Sequence, residues 1–274
     1  ATATDTLSSG GTYSVTVNDS VGCSASLDVN IIQPTAFGVT ALRNNVPCNG
    51  GNVGSIVISP SGGITPYPFL WNDGTQTQDR SFLAAGTYSL TVTDNNNCSF
   101  SLTTVITQPA LMSVIETHTN VLCNAESNGA INLSINGEIT PYSYLWNDGI
   151  SSTNRANLSA GNYLVTVTDN NACPVSLAVT ITQPDALTIS ETHNDVLCNG
   201  MNTGSINLTT SGGTTPYTFV WSDGNSSPSI NNLAAGNYLV TVNDANACSA
   251  TENIAINEPS ALVVSENHTN ILCG

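Results

Sequence analysis

The sequence contains no lysine and only three arginines, set against 19 aspartates and glutamates, for a net charge of −16 over 274 residues. Such a chain repels phosphate backbones and anionic lipid, which disfavours nucleic acid and membrane surfaces as partners. Without lysine, no Lys–Asn isopeptide bond can fasten its strands. Charged residues of either sign make up 8% of the chain, so the surface must be dressed in Asn, Thr and Ser. No apolar run reaches transmembrane length, and no secretory leader or initiator Met is present. Membrane insertion is therefore not expected. Helical periodicity with caps is also missing. Close cysteine pairs are lacking too: even neighbours such as Cys23 and Cys48 stand far apart in the sequence. That argues against zinc, whose sites generally use pairs such as Cys-x-x-Cys.

What the chain does have is repetition. The stretch Leu233-Ala-Ala-Gly236-Asn-Tyr238-Leu-Val240-Thr-Val242-Asn-Asp244-Ala-Asn-Ala-Cys248 recurs from Leu158 to Cys173 and from Leu83 to Cys98. A degraded copy runs from Leu7 to Cys23, so the closing cysteines Cys23, Cys98, Cys173 and Cys248 are evenly spaced. A fixed self-similar period, here about 75 residues, is the signature of a repeat array. The units are read as 35–109, 110–184 and 185–259, with the end of another at 1–34 and the start of the next at 260–274. An alternative frame cuts after the second cysteine of each pair, giving 1–48, 49–123, 124–198 and 199–273. The chain starts in mid-repeat and is read as a segment of something longer. Units this small lie near the lower limit for a self-sufficient core, so extra fastening is expected.

Within a unit, short alternating segments are separated by Gly, Asn and Asp turns. Tyr217, Phe219 and Trp221 share one strand face, as do Tyr67, Phe69 and Trp71, and Tyr142, Tyr144 and Trp146. An Asp-Gly turn follows each Trp, at Asp73-Gly74, Asp148-Gly149 and Asp223-Gly224. Six or seven short strands per unit predict an all-β fold, a tandem array of immunoglobulin-like antiparallel sandwiches. The Leu-x-x-Gly-x-Tyr element has the form of a tyrosine corner, and Trp on the third strand suits the packing centre. Pro34, Pro109, Pro184 and Pro259, each after Gln or Glu, mark unit ends.

Eight cysteines in strict register, Cys23, Cys48, Cys98, Cys123, Cys173, Cys198, Cys248 and Cys273, read as a disulfide framework in an oxidising, extracellular setting. Three connectivities stay open. The preferred one pairs Cys23–Cys48, Cys98–Cys123, Cys173–Cys198 and Cys248–Cys273, with each Pro segment folded as a hairpin. The second pairs Cys48–Cys98, Cys123–Cys173 and Cys198–Cys248, across the full length of a sandwich. The third joins neighbouring units, as Cys48–Cys173 and Cys123–Cys248.

Candidates for chemistry are few. Asp19, Asp94, Asp169 and Asp244 sit in Asn-rich turns and offer hard oxygen ligands to calcium, but a site needs help from Asp73, Asp148 or Asp223. The same residues are ordinary turn formers. His118, His193 and His268 occupy one repeat position, held by Arg43 in the first copy, and read as solitary loop histidines. No paired-carboxylate, Ser/His/Asp or Cys/His constellation occurs, and near-identical repetition is not how one active site is built. The chain is expected not to be an enzyme.

Taken together, Cys48-Asn49-Gly50 and Cys198-Asn199-Gly200, Gly-Ser-Ile, Gly-Gly-x-x-Pro-Tyr-x-x-x-Trp, Leu-x-Ala-Gly-x-Tyr-x-Val-Thr-Val-x-Asp and Ile-Thr-Gln-Pro (106–109, 181–184) resemble the SprB repeat of very large surface adhesins from gliding Bacteroidota. The resemblance covers essentially the whole chain. It implies export by the type IX secretion system and long cell-surface filaments, moved along the cell in gliding species to engage a substratum. It departs at Glu138, which replaces the second Gly of a Gly-Gly turn, at Asn124-Ala125 in place of Asn-Gly, and at Leu7. Such bacteria also O-glycosylate Asp-Ser/Thr-apolar triplets, a pattern that fits Thr6 and Ser20.

The reading is a non-enzymatic stalk of a secreted cell-surface adhesin or filament. Its partners are neighbouring repeats, identical chains in a filament, and an extracellular surface or polysaccharide. The alternatives are a self-assembling fibre subunit, or glycan- or calcium-binding accessory repeats of a secreted enzyme.

Overall fold

The computed structural model describes residues 9–137 and 139–270. Every regular element in it is a β-strand. The first described element is a hairpin, β1 (Gly11–Asn18) pairing with β2 (Ser24–Ile31) and, among the described residues, with no other strand. Six strands then form the first complete sandwich: β3 (Gly38–Asn44), β4 (Gly54–Ser61), β5 (Phe69–Trp71), β6 (Arg80–Leu83), β7 (Gly86–Thr93) and β8 (Ser99–Ile106). They make two antiparallel sheets, ordered β3-β4-β6 and β5-β7-β8. The pattern recurs in β9 (Ser113–Thr119), β10 (Gly129–Asn136), β11 (Ser143–Trp146), β12 (Arg155–Leu158), β13 (Gly161–Thr168) and β14 (Pro174–Ile181). The third sandwich is β15 (Thr188–Asn194), β16 (Gly204–Ser211), β17 (Thr218–Trp221), β18 (Ser229–Leu233), β19 (Gly236–Asn243) and β20 (Ser249–Ile256).

Two compact units result. One comprises Ala1–Met112 with Gly137–Thr140 and Asn170–Cys173; the other comprises Ser113–Asn136, Pro141–Asp169 and Pro174–Gly274. The first is built on the core Val39, Val46, Ile56, Ile58, Trp71, Leu83, Leu90, Val92 and Ile106. In the second, Trp221 packs with Ile206, Val240, Val242 and Ile256, and Trp146, Ile131, Val165 and Val167 are buried likewise. The period-two alternation explains this burial. In β19 Val240 and Val242 point inward while Leu239 stays about half exposed.

Each buried Trp also needs a partner for its indole N–H. Trp71, Trp146 and Trp221 donate to the carbonyls of Thr77, Ser152 and Ser227, each six residues on. The tyrosine corners form as the sequence predicts. The hydroxyls of Tyr88, Tyr163 and Tyr238 donate to the carbonyls of Ala84, Ser159 and Ala234, and Tyr13 does the same to Ser9. At the Gly-Gly turns, Gly62 and Gly212 have positive φ, and a Cβ on either would run into the carbonyl of Ala36 or Ala186. Their own carbonyls receive the hydroxyls of Tyr67 and Tyr217. Leu7 and Glu138 lie outside the described residues.

The preferred disulfide pairing does not occur. Cys48 is bonded to Cys173 and Cys123 to Cys248, each pair separated by 125 residues with Cα atoms 5.6 Å apart. Cys23–Cys48, Cys98–Cys123, Cys173–Cys198 and Cys248–Cys273 are thereby ruled out, because each contains one of these four sulfurs. The physical reason is that the Pro segment is not a hairpin. Among the described residues β14, before Pro184, pairs only with β13, and β15, after it, pairs only with β16. The pairing across the length of a sandwich fails as well. Cys98 closes the β7–β8 turn, whereas the Cys48 loop lies by Gln108 and Pro109 at the far end of β8. Eight extended residues put about 26 Å between those ends.

Candidate functional site

The feature built most carefully from named residues is the place where one repeat meets the next. It occurs whole within the second unit, as two halves.

The first half is the turn between β19 and β20. Asp244 is buried, and its Oδ1 accepts the backbone N–H of Asn246 and of Cys248 at 2.8 and 2.9 Å. Its Oδ2 accepts the N–H of Thr214 from the Gly-Gly turn, at 2.8 Å. Burial pushes this carboxyl up, but the three N–H donors outweigh it and hold the group below the usual aspartate range. The chain then passes through Ala247 at a φ of 65° and delivers Cys248 to the surface of the turn.

The second half is the loop after β9. Asn124 donates from Nδ2 to the carbonyl of Pro184, 60 residues away, at 3.0 Å. Ala125 donates its N–H to Oε1 of Gln183 at 3.0 Å. The Cys-Asn-Gly-type loop and the Gln-Pro unit end are thus two parts of one clasp, at the end of the sandwich where the chain leaves it. In the third repeat Asn199 and Gly200 hold Pro259 and Glu258 in the same way.

Turn meets loop at Cys123–Cys248, and Asn246 Nδ2 adds a hydrogen bond to the carbonyl of Leu122 at 3.1 Å. Cys123, Asn124, Glu126, Ala186, Leu187 and Cys248 surround an open cavity of about 330 Å³ at this joint. The first unit holds the same contact: Cys48–Cys173 with Asn171 Nδ2 on the carbonyl of Pro47 at 3.0 Å. Cys23, Cys98 and Cys198 are free and exposed; Cys273 lies outside the described residues.

The turn aspartates are structural in their contacts. Asp94 repeats the set, accepting from Asn96, Cys98 and Ile64, and Asp19 accepts from Val21 and Cys23. Asp94 is held low in spite of burial, and Asp19 by its Cys23 and Val21 N–H donors. Asp169 is likewise engaged. Among the described residues no three His, Cys, Asp or Glu side chains converge on a point where a metal ion could bind. Asp73 and Asp148 are spoken for as well. They bind Arg80 and Arg155 at 2.8 and 2.6 Å, and the guanidinium stacks over Trp71 and Tyr88 or over Trp146 and Tyr163. Sequence reasoning missed that stack; the recurrence of Arg at the equivalent positions Arg80 and Arg155 was the available signal. In the third repeat the position is Ile230, buried in the core.

The histidines are not solitary loop residues. His118 and His193 lie on β9 and β15, each with its Nδ1 on a carboxylate oxygen of the Glu two residues earlier. His268 faces Glu266 in the same manner. The spacing of two in a strand, which puts both side chains on one face, was legible. Of the two glycosylation candidates, Ser20 is exposed in the β1–β2 turn and Thr6 lies outside the described residues.

Fold and joint together define a class: a repeat protein of tandem immunoglobulin-like β-sandwiches, with disulfides linking successive repeats. The family model of the SprB repeat matches residues 43–76, 115–150 and 190–226, so the chain carries three SprB repeats. No curated protein matches it. Among solved structures, Sidekick-1 immunoglobulin domains 1–5 are similar at 12% identity and a TM-score of 0.35, covering 93% of this chain and 67% of that one. Domains 1–6 of the surface layer protein SbsC are similar at 13% identity and a TM-score of 0.29, covering 93% of this chain and 46% of that one.

Proposed function

We propose that this chain is a non-enzymatic stalk in a secreted cell-surface adhesin or filament, serving attachment to an extracellular surface or polysaccharide, with gliding as its most specialised setting. The observation that carries the reading is the turn-to-loop joint, in which a covalent bond, an Asn side chain and a Gln-Pro clasp all serve to fix one repeat to the next. The residues with unusual environments, Asp94, Asp244, Arg80 and Arg155, are spent on turns and core faces. An acidic surface with few charges of either sign resists adventitious binding. Its partners are first its own neighbouring repeats. The SprB family adds support for a surface location and for export by a dedicated secretion system.

Single-molecule pulling tests this. A stalk should resist extension with its disulfides intact and lengthen greatly after dithiothreitol. Equal unfolding force and equal extension in both states would sink the proposal. A glycan array probed with the intact chain separates it from an accessory binding module, which would show saturable sugar binding.

A further inference from the structure

The loop after the first strand of each complete sandwich carries an Asn that is followed by Gly at Asn49-Gly50 and Asn199-Gly200, and by Ala at Asn124-Ala125. Asn-Gly is prone to deamidation, because glycine presents its backbone nitrogen to the Asn side chain with no Cβ in the way. Two further Asn-Gly pairs, Asn128-Gly129 and Asn136-Gly137, stand at the two ends of β10, outside any clasp.

The clasp ties up both groups that this reaction needs. Gly50 donates its N–H to Oε1 of Gln108 at 2.8 Å, and Asn49 donates from Nδ2 to the carbonyl of Pro109 at 3.0 Å. A turn bond from the N–H of Gly51 to the carbonyl of Cys48, at 3.1 Å, fixes the peptide between them. In the third repeat Gly200 donates to Oε2 of Glu258 at 2.7 Å and Asn199 to the carbonyl of Pro259 at 3.1 Å, with Met201 N–H on the carbonyl of Cys198. Asn49, Gly50, Asn199 and Gly200 are all exposed, so burial gives them no protection. The hydrogen bonds do. A nitrogen whose proton is held by an acceptor is not free to lose it, and a side chain tied to the Pro carbonyl is not free to swing onto that nitrogen.

We infer that Asn49 and Asn199 are latent deamidation sites gated by the clasp, and that Asn124 is exempt. This goes beyond the stalk reading and does not depend on it. Once the clasp opens, the Gly50 nitrogen gives its proton to hydroxide or a buffer base and attacks Cγ of Asn49. The Cγ–Nδ2 bond breaks and ammonia leaves, closing a cyclic imide. Water then adds to either imide carbonyl and opens the ring to aspartate or isoaspartate. Water is consumed and ammonia released, with no change of oxidation state. Neither product restores the clasp. Both lack the Nδ2–H that held Pro109 and set a carboxylate against its carbonyl, and isoaspartate adds a carbon to the backbone beside Cys48. A clasp that has opened therefore keeps an irreversible mark. At the second clasp the Ala125 methyl hinders the approach of its own nitrogen to Asn124, although it sits at an unfavourable φ of 63°.

The test uses the full chain, with both internal disulfides intact, held in mildly alkaline buffer. Peptide mapping by mass and isoaspartyl methyltransferase labelling read the conversion of each Asn. The expected result is slow conversion at Asn49 and Asn199 in the folded chain and severalfold faster conversion of both in guanidinium, with Asn124 slow in either state. Gln108→Ala should speed Asn49 severalfold while Asn199, Asn128 and Asn136 in the same molecule keep their rates. Gln108→Glu gives the first clasp the acceptor that Glu258 supplies in the third, and should keep Asn49 protected. Ala125→Gly should make Asn124 labile in the unfolded chain. The inference is overturned if Asn49 converts as fast folded as unfolded, if Gln108→Ala leaves it unmoved or speeds every site alike, or if Gln108→Glu exposes it as Gln108→Ala does.

Discussion

Phe82 occupies a backbone position with a φ of 57°, where the other two complete repeats place Asn157 and Asn232 at 56° and 59°. The left-handed region suits Asn and penalises a bulky side chain, and Phe82 is also 79% exposed, so burial does not compensate. Phe82→Asn should therefore stabilise the chain by about 1 kcal/mol in urea unfolding. Ala125, at 63° where Gly50 and Gly200 reach 75° and 73°, predicts the same direction for Ala125→Gly and the reverse for Gly200→Ala. The carboxylates set the acid limit. Asp73 is pulled down to about 2 by the hydrogen bonds from Arg80, and Asp94 and Asp244 also lie below their usual 3.8. A depressed folded-state pKa contributes stability that is present above the unfolded value and lost as pH falls through the folded one. The melting temperature should thus hold down to about pH 4 and drop between 4 and 2, less steeply in Asp73→Asn. His193 runs the other way. Glu191 raises it, so its contribution is present below 6.5 and fades as pH rises through the raised value.

At the scale of elements, the clasp between Cys-Asn-Gly-type loop and Gln-Pro end is the least expected construction. Gln183→Ala should leave the Ala125 N–H without its acceptor, costing about 0.5–1.5 kcal/mol and speeding amide exchange at Ala125, with the Trp146 indole N–H unchanged. Much of each sandwich was legible. Alternation located β7, β13 and β19 with their inward Leu90, Val165 and Val240, and Gly-x-Tyr announced the corner, because both signals are local. The clasp was not, although both motifs were noticed, since nothing local says that Asn124 will meet Pro184 or Ala125 meet Gln183. The same holds for the disulfides. Strict periodicity makes every cysteine spacing equally regular, so the choice rests on whether the chain reverses at Pro184. It does not, because β15 finds its partner in β16 rather than in β14.

For the molecule as a whole, each disulfide closes a loop with a sequence separation of 125, worth about 5 kcal/mol in the chain-entropy model. Reduction should accordingly lower the melting temperature, and Cys123→Ser with Cys248→Ser should reproduce that shift in part. The two loops also overlap, since Cys123 lies inside the first and Cys173 inside the second. Tension entering at Cys48 and leaving at Cys248 then has a shortest covalent route: across to Cys173, backwards along the chain to Cys123, and across to Cys248. The only backbone on that route is the stretch between Cys123 and Cys173, a quarter of the chain from Cys48 to Cys248. Even with every strand undone, the span could open to only about 170 Å, against roughly 680 Å when reduced. The segment between Cys123 and Cys173 would be stretched in the reverse of its chain direction, so that the middle repeat serves as a tether with its polarity inverted.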